Sequence, residues 1–193
     1  ENLKCLSNVC THRANIIIHN KGQVKDLKCL YHGRKFDLDG NFKSMPEFKK
    51  AIDFPRECES LKEFKLKNLG PFIFVGLEPN FKIDNVFSRI YDRISFLNLD
   101  HLDYRKDLSK DYMVEAHWAI YCDNYLEGFH IPFVHDDLNS VLDYGDYETE
   151  IDDYFVLQIG YAKDGDNVFD LPKGHQDYGK NIAAYYYWIY PNL

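Results

Sequence analysis

Two short segments of this chain each place one cysteine close to one histidine. The first is Cys10-Thr11-His12 and the second is Cys29-Leu30-Tyr31-His32. A thiolate and an imidazole at such short spacing come from a tight loop and not from one face of a helix. Two such loops closing on one centre would place one iron between the cysteines and another between the histidines, with the imidazoles at the exposed tip. Two thiolates and two imidazoles suit a binuclear iron–sulfur cluster.

A structural zinc site is the alternative for these four residues. Common zinc sites, however, pair cysteine with cysteine and histidine with histidine at wider spacing. Gly33, which follows His32, would let the backbone approach a cluster without a side chain in the way. The residue types and their spacing therefore favour iron and sulfide over zinc.

A second candidate metal site lies in segment 123–135. His130 and His135 are five residues apart, whereas a spacing of four aligns two side chains on a regular helix. Pro132 between them interrupts the helical hydrogen bonds, so both rings can reach one metal. Two histidines and a carboxylate are the ligands of non-haem Fe(II) oxygenases, which keep open positions for dioxygen and substrate. Two structural histidines and a solvated helical Glu127 remain the alternative.

The two loops and the histidine pair resemble Rieske non-haem iron oxygenases, the large (alpha) subunits of aromatic-ring-hydroxylating dioxygenases and their monooxygenase relatives. The resemblance rests on segments 7–13, 29–40 and 123–135, in that order along the chain. It implies two metal cofactors, a 2Fe–2S Rieske cluster and a mononuclear Fe(II). Their implied ligands are Cys10, His12, Cys29 and His32 for the cluster and His130 and His135 for the iron. The third iron ligand, an aspartate in the family, would lie downstream of the end of this chain.

The resemblance also gives Glu127 a catalytic role. Family members carry an acidic residue here, often aspartate, that hydrogen-bonds an iron-ligating histidine and a cluster histidine of the neighbouring subunit. By position these would be His130 and His32. A glutamate at this place resembles the subgroup acting on choline, carnitine and betaines more than the naphthalene-type enzymes. The implied reaction is hydroxylation of an aromatic or quaternary ammonium substrate by dioxygen, and the choice between monooxygenation, dioxygenation and demethylation stays open.

The same resemblance implies the partners. Electrons would come from NAD(P)H through a separate reductase, with or without a ferredoxin, and the catalytic subunits would form rings of three. A Rieske ferredoxin that only transfers electrons is the alternative function. The grouping of Glu127, His130 and His135 counts against that alternative.

Respiratory Rieske proteins resemble this chain in the four ligands but differ beside them. They carry an extra cysteine in each loop, joined as a disulfide, and a serine after the second glycine. Those places hold Asn15, Tyr31 and Arg34 in this sequence. Without the disulfide and the hydroxyl donor, we expect the reduction potential of the cluster to lie in the lower part of the Rieske range.

Short apolar runs and turn signals predict the elements that position the first site. Asp39-Gly40 is a strong hairpin signal within a series of short antiparallel strands between Asn15 and Phe42. We expect a surface loop over Lys43–Lys67 and a buried closing strand over Pro71–Leu77. Residues 1–80 are thus predicted to be a small antiparallel β domain, which the resemblance identifies as a Rieske domain.

Residues 81–193 mix helical and strand patterns. The predictions are a helix over Ile83–Phe96, a strand over Tyr112–Ile120 running into a helix over Trp118–Phe129, an acidic loop over Val141–Ile151, and strands over Tyr154–Tyr161 and Ile182–Tyr190. The fold class is therefore α+β. The resemblance makes this region the N-terminal part of a helix-grip-like catalytic domain.

Composition limits the other possibilities. A formal net charge of −8 over 193 residues argues against neutralising nucleic-acid phosphates, and the apolar runs are too short to span a bilayer. Five scattered cysteines favour reduced thiols and a cytoplasmic location. The chain starts at Glu1 without methionine and ends at Asn192-Leu193, so we expect a piece of a longer protein that is inactive alone.

Aromatic residues are abundant near the second site. They are Tyr125, Phe129, Phe133 and the run Tyr185-Tyr186-Tyr187-Trp188. Alternation along a strand would aim half of that run inward, where the rings could stack on a substrate or surround a quaternary ammonium group. Core packing is the simpler interpretation of each of them.

Overall fold

The computed structural model describes residues 2–163 and 167–191. Glu1 and Asn192-Leu193, on which the expectation of a longer protein rests, lie outside the described residues. The chain divides into two compact units, Glu1–Lys82 and Ile83–Leu193.

The first unit contains two three-stranded antiparallel sheets. Their strand orders are β1-β5-β6 and β2-β3-β4. The strands are β1 (Cys5–Leu6), β2 (Leu27–Lys28), β3 (Lys35–Phe36), β4 (Phe42–Ser44), β5 (Glu63–Leu69) and β6 (Phe72–Gly76). Single 3-10 turns at Phe48–Lys50 and Glu57–Glu59 lie between β4 and β5.

The predicted hairpin is present between β3 and β4, where Phe36 pairs with Phe42. Gly40 has a φ of 86°, a conformation that a glycine adopts without strain. The carboxylate of Asp37 accepts hydrogen bonds from the backbone N–H groups of Asp39 and Asn41 at 2.9 and 2.8 Å. Local turn chemistry therefore specifies this hairpin.

The core of the first unit includes two of the candidate ligands. Cys10 and Cys29 are buried together with Ile17, Phe36 and Leu61. Because the thiols are part of this core, packing of the unit and formation of the first site are coupled.

Two predictions for this unit need correction. The strand expected over Pro71–Leu77 is present as β6, but it is not buried, since Phe72, Ile73 and Val75 are each about half exposed. The segment Lys43–Lys67 is not entirely surface loop, since it contributes the start of β5 and the buried carboxylate of Glu59.

The second unit consists of helices followed by one antiparallel sheet with strand order β7-β8-β9. Its regular elements are α1 (Ile83–Ile94), α2 (Trp118–Tyr125), α3 (Ile131–Val134), α4 (Asp136–Val141), β7 (Leu142–Ile151), β8 (Phe155–Ala162) and β9 (Ile182–Ile189). The mixture of helices with antiparallel sheets confirms the α+β class. The predicted helix at Ile83 and the strands at β8 and β9 are confirmed.

The prediction of an acidic loop over Val141–Ile151 is wrong, because this segment forms β7. Its charged residues are tolerated because β7 pairs only with β8 and leaves Glu148 and Glu150 exposed. The prediction over Tyr112–Ile120 is also wrong in part. Residues 112–117 form no regular element, and α2 ends at Tyr125, before the predicted end at Phe129.

A buried ion pair joins α1 to the segment before β9. The carboxylate of Asp177 lies 3.0 Å from Nε of Arg93, and both side chains are almost completely buried. Asp177 also accepts hydrogen bonds from Lys180 at 3.0 Å and from the hydroxyl of Tyr185 at 2.7 Å. Burial alone would raise the pKa of Asp177, but these partners outweigh it and hold the pKa below its ordinary value.

Among the described residues, no helix has the length and apolar character needed to cross a membrane.

We predict that Asp177→Asn lowers the free energy of unfolding by about 1–3 kcal/mol at neutral pH, because it removes the buried carboxylate paired with Arg93 and leaves that guanidinium with the exposed carboxylate of Glu150. A depressed carboxyl pKa contributes stability above its unfolded value and loses that contribution as the pH falls. The difference from the parent should therefore shrink below pH 3.8. Both tryptophans of the chain, Trp118 and Trp188, lie in the second unit, so urea unfolding followed by tryptophan fluorescence reports on it.

Asp153→Asn is the matched control, since it makes the same charge change at an exposed position. Equal losses in the two variants would contradict a specific role for the Asp177 ion pair.

Candidate metal centres

Backbone hydrogen bonds close the first ligand loop around Cys10. The N–H of Cys10 donates to the carbonyl of Asn15 at 2.8 Å, and the N–H of Ala14 donates to the carbonyl of Cys10 at 2.9 Å. Ala14 has a φ of 52°, and an isolated bridge pairs Val9 with Ile16. The chain therefore reverses direction around the predicted ligands.

The second ligand loop repeats this hydrogen-bond arrangement. The N–H of Cys29 donates to the carbonyl of Arg34 at 2.9 Å, and the N–H of Gly33 donates to the carbonyl of Cys29 at 3.0 Å. Gly33 has a φ of 75°, and a Cβ there would come within 3.1 Å of Pro46. A left-handed residue four positions after each cysteine thus makes both turns. The structure thus explains the glycine at position 33 by its left-handed backbone conformation and by the contact with Pro46. The sequence had suggested a different reason, the close approach of the backbone to a cluster.

The structure brings the two thiols together and the two imidazoles together. Cys10 and Cys29 are 3% and 1% exposed and lie in the same buried cluster. The ring centroids of His12 and His32 lie 4.7 Å apart. His12 is half-buried and His32 is exposed, so the two imidazoles are more accessible to solvent than the two buried thiols.

The two thiols titrate differently. Burial, together with the neighbouring Cys29 thiol, raises the pKa of Cys10. Burial acts in the same direction on Cys29, but the backbone N–H groups of Tyr31 and His32 and the thiol of Cys10 outweigh it and lower the pKa of Cys29. The thiolate is the form that binds metals, and the N–H donors around Cys29 stabilise it there.

The donor set fits a binuclear cluster. Nδ1 of His12 is the one buried side-chain nitrogen or oxygen atom without a hydrogen-bond partner in the described part of the chain. Burial lowers the pKa of His12, with a further contribution from His32, and this keeps the ring in the neutral form that ligates. A neutral, unpartnered imidazole nitrogen beside a thiol pair is what a cluster with mixed ligands needs.

A site for a single ion, such as zinc, is less well supported at the two cysteine–histidine loops. Within residues 2–163 and 167–191, no group of three or more His, Cys, Asp or Glu side chains could hold one metal ion. A binuclear cluster does not require such a group, because each iron takes only two ligands from the protein.

Asn15 connects the two ligand loops. Its Nδ2 lies 3.7 Å from the sulfur of Cys29 and also donates to the carbonyl of Ile16 at 2.7 Å. The position that holds a disulfide cysteine in respiratory Rieske proteins thus supplies an N–H donor to the sulfur of Cys29, a proposed ligand. Hydrogen bonds to cluster sulfurs are one of the protein's means of setting the potential.

The second candidate site forms where α2 gives way to two short helices. The side chain of His117 caps α2 by accepting from the N–H of Ala119 at 3.2 Å. Pro132 occupies the first turn of α3, and His135 adopts a non-helical conformation between α3 and α4. This break brings the rings of His130 and His135 to a centroid distance of 5.1 Å.

Glu127 is hydrogen-bonded within its own turn. One carboxylate oxygen contacts Nδ1 of His130 and the other accepts from the backbone N–H of Phe129. The hydrogen bond to His130 holds the pKa of Glu127 below its ordinary value. A carboxylate on one ring nitrogen orients the imidazole and leaves Nε2 available to a metal.

The histidine pair faces a cavity of about 160 Å³. Gln158 of β8 lines it and is almost completely buried. Its side chain accepts from the hydroxyl of Tyr147 at 3.1 Å and donates to the carbonyl of Tyr125 at 2.7 Å. The complete lining is Asn124, Tyr125, Glu127, His130, Ile131, His135, Leu138, Tyr147, Gln158 and Tyr186.

The sequence indicated only part of this lining. Gln158 and Tyr147 were not predicted, although one amide in the apolar run of β8 is a signal that could have identified Gln158. Tyr125 and Tyr186 do line the cavity. Phe129 and Phe133 are not among its lining residues, and both side chains are largely exposed.

Comparison with known proteins finds similarity to the kind of protein that the motifs resemble. The family described as "Rieske [2Fe-2S] domain" matches residues 1–65. Chloroplastic choline monooxygenase of Beta vulgaris is 26% identical over 197 residues, covering 99% of this chain and 42% of that protein. The carnitine monooxygenase oxygenase subunit of Escherichia coli K12 is 24% identical over 197 residues, covering 98% of this chain and 50% of that protein.

Solved structures show the same fold. A quaternary ammonium Rieske monooxygenase described in connection with carnitine oxidation superposes with a TM-score of 0.72 at 21% identity, covering 98% of this chain and 50% of that one. A naphthalene 1,2-dioxygenase bound to phenanthrene superposes with a TM-score of 0.62 at 18% identity, covering 82% of this chain and 40% of that one. The chain spans about half the length of the curated relatives it matches. Residues 1–65 thus match a Rieske domain, and nearly the whole chain is similar to choline monooxygenase and to the carnitine monooxygenase oxygenase subunit.

We predict that Asn15→Leu lowers the reduction potential of the reconstituted cluster, because the reduced cluster loses an N–H donor to a ligand sulfur. Protein-film voltammetry measures the potential directly. Asn20→Leu is the matched control, since it makes the same substitution at an exposed position in the same unit. An unchanged potential in Asn15→Leu would show that the amide contact has no electronic effect.

Proposed function

We propose that this chain is part of the alpha subunit of a Rieske-type oxygenase, with a Rieske domain over residues 1–80 and the first part of the catalytic domain over residues 81–193. The ordered occurrence of two matched cysteine–histidine loops and a distorted histidine pair carries the proposal. Homology to oxygenase subunits extends over 98–99% of the chain and therefore beyond the Rieske domain.

Each residue has a defined task in this proposal. Cys10, His12, Cys29 and His32 hold the cluster, and His130 and His135 hold the mononuclear iron, whose third carboxylate ligand would come from outside this chain. When bound, the cluster supplies electrons one at a time and the iron supplies dioxygen activation. The protein residues bind, orient and tune these groups.

Glu127 is proposed to connect the two centres. Its hydrogen bond to His130 supports half of this role. The other half, a hydrogen bond to His32 of a neighbouring subunit, rests on the family resemblance and requires the proposed ring of three subunits. A carboxylate between two histidine ligands can orient both rings and hold the proton that one of them releases.

The substrate class is proposed from the relatives and the cavity. The matched proteins are named for choline, carnitine and quaternary ammonium compounds, or for naphthalene. Tyrosines such as Tyr125, Tyr147 and Tyr186 could pack against either an aromatic ring or a quaternary ammonium group. Electrons would come from NAD(P)H through a reductase, with or without a ferredoxin, and we place the protein in the cytoplasm.

A Rieske ferredoxin without oxygenase activity is not favoured. It would not account for the second unit, where Glu127, His130 and His135 share one cavity.

We predict that the anaerobically reconstituted protein binds two irons and two acid-labile sulfides and, when reduced, gives the low-average-g paramagnetic resonance signal of a Rieske cluster. Cys29→Ser should abolish the signal because it removes a thiolate ligand. Cys58→Ser is the control, since Cys58 is an exposed free thiol with no proposed role. A colourless protein containing zinc and no sulfide would refute the proposal.

We predict that Glu127→Ala, made in the whole oxygenase, leaves both metal contents unchanged and slows substrate-dependent reoxidation of the reduced cluster about 10- to 100-fold. The reason is that the carboxylate orients the ligands through which the two centres communicate. Single-turnover stopped-flow absorbance of the cluster measures this rate. Glu115→Ala, which removes an exposed carboxylate in the same unit, should react at the parental rate. Parental reoxidation and hydroxylation in Glu127→Ala would exclude the bridging role.

A further inference from the structure

A buried cation lies beside the ligand loops and has no part in the function proposed above. Arg34, two residues after His32, is only 2% exposed. Its Nη1 donates to Oε2 of Glu59 at 2.6 Å and to the hydroxyl of Thr11 at 2.7 Å, and its Nε lies 3.2 Å from the sulfur of Met45. A charged side chain is rarely buried to this extent unless it is paired, as Arg34 is with Glu59.

Glu59 completes the arrangement from a third segment of the chain. It is 3% exposed, and its Oε1 accepts from Nε and Nη2 of Arg56 at 3.0 and 2.8 Å. Its backbone carbonyl accepts from the hydroxyl of Thr11 at 2.8 Å. Burial acts to raise the pKa of Glu59, but the hydrogen bonds from Arg34 and Arg56 outweigh it and lower the pKa, so the carboxylate stays ionised.

Aromatic rings enclose the guanidinium of Arg34. Its central carbon lies 5.3 Å from the ring centroid of Phe42 and 5.7 Å from that of Phe54. These faces favour a cation and also exclude water from it. The ion pair is therefore strengthened by its surroundings and fixed in one geometry.

Thr11 and Arg34 belong to different ligand loops. Thr11 stands between the ligands Cys10 and His12, and Arg34 closes the second loop, where its carbonyl accepts from the N–H of Cys29. The guanidinium of Arg34 therefore connects the two ligand loops through the hydroxyl of Thr11. Glu59 contacts both residues, since its carboxylate accepts from Arg34 and its backbone carbonyl accepts from Thr11. Respiratory Rieske proteins make this connection with a disulfide, and the cysteine positions of that disulfide hold Asn15 and Tyr31 in this chain.

Energetics indicate that this connection is not present for stability alone. A buried ion pair is often no more stabilising than apolar residues of the same volume, whereas removing one partner is strongly destabilising. Packing alone would be served as well by an aliphatic pair. A fixed, directional connection between two ligand loops is served only by the polar groups.

We propose that Arg34 is a positioning residue, and that Thr11, Arg34 and Glu59 form an inter-loop clamp that fixes the spacing of the two ligand loops and so retains the cluster in one geometry. The clamp rests on the proposed function, because it acts on the Rieske cluster.

The decisive variant is the double substitution Arg34→Met/Glu59→Met. It removes both buried charges, so the apo protein should unfold at a urea concentration close to that of the parent. The clamp predicts that this variant nevertheless releases iron to a chelator about 10- to 100-fold faster and shows shifted g values in the reduced state. Arg13→Met removes an exposed guanidinium next to His12 and should change neither quantity.

Two outcomes would overturn the clamp. The first is a double variant with parental release rate and parental g values, which would reduce the ion pair to a packing element. The second applies if the double variant does not fold, and it uses Thr11→Val, which removes only the hydroxyl that connects Arg34 to the first loop. An unchanged rate of iron release and unchanged g values in Thr11→Val would overturn the clamp. Failure of the proposed function is distinguishable, because the parent protein itself would then bind no 2Fe–2S cluster.

Discussion

The convergence of two loops with the same backbone design is the constraint on which the first unit depends. Each loop turns within six residues through one hydrogen bond from the cysteine N–H and one to the cysteine carbonyl. Each needs a left-handed residue four positions on, supplied by Ala14 and Gly33. Because Cys10 and Cys29 also belong to the apolar core, a cluster bound there would be part of the packing as well as of the chemistry.

Polar contacts perform the connections that a disulfide performs in respiratory Rieske proteins. Asn15 reaches the sulfur of Cys29, while Arg34 and Glu59 join the loops through Thr11. The same principle recurs in the second unit, where the carboxylate of Glu127 fixes the ring of His130. In both units a residue outside the proposed ligand set orients the side chain of a proposed metal ligand.

Local features of the fold were predictable from the sequence, and features that depend on distant contacts were not. The Asp39-Gly40 hairpin and α1 follow from turn chemistry and helical spacing, which act over a few residues. The acidic strand β7 was not predicted because its pairing with β8 and the exposure of its carboxylates are set by tertiary structure. The exposure of β6 has the same origin.

The candidate sites show the same division. Residue types and spacing single out the four proposed cluster ligands and the two proposed iron ligands, because metal chemistry restricts both. Glu59 lies 25 residues after Arg34, and nothing in its acidic surroundings indicates burial. Gln158 joins the histidine cavity only because β8 passes it. Residues that contact a site from a distant part of the chain have no characteristic spacing in the sequence that would identify them, whereas the proposed ligands do.

Mössbauer spectroscopy of protein reconstituted with iron-57 tests the central claim most directly, because it distinguishes the two irons by their ligands. Two cysteines on one iron and two histidines on the other predict two iron sites of equal abundance that differ in isomer shift, with the added electron localised on the histidine-bound iron after reduction. A spectrum with a single type of iron, or no bound iron, would contradict the account.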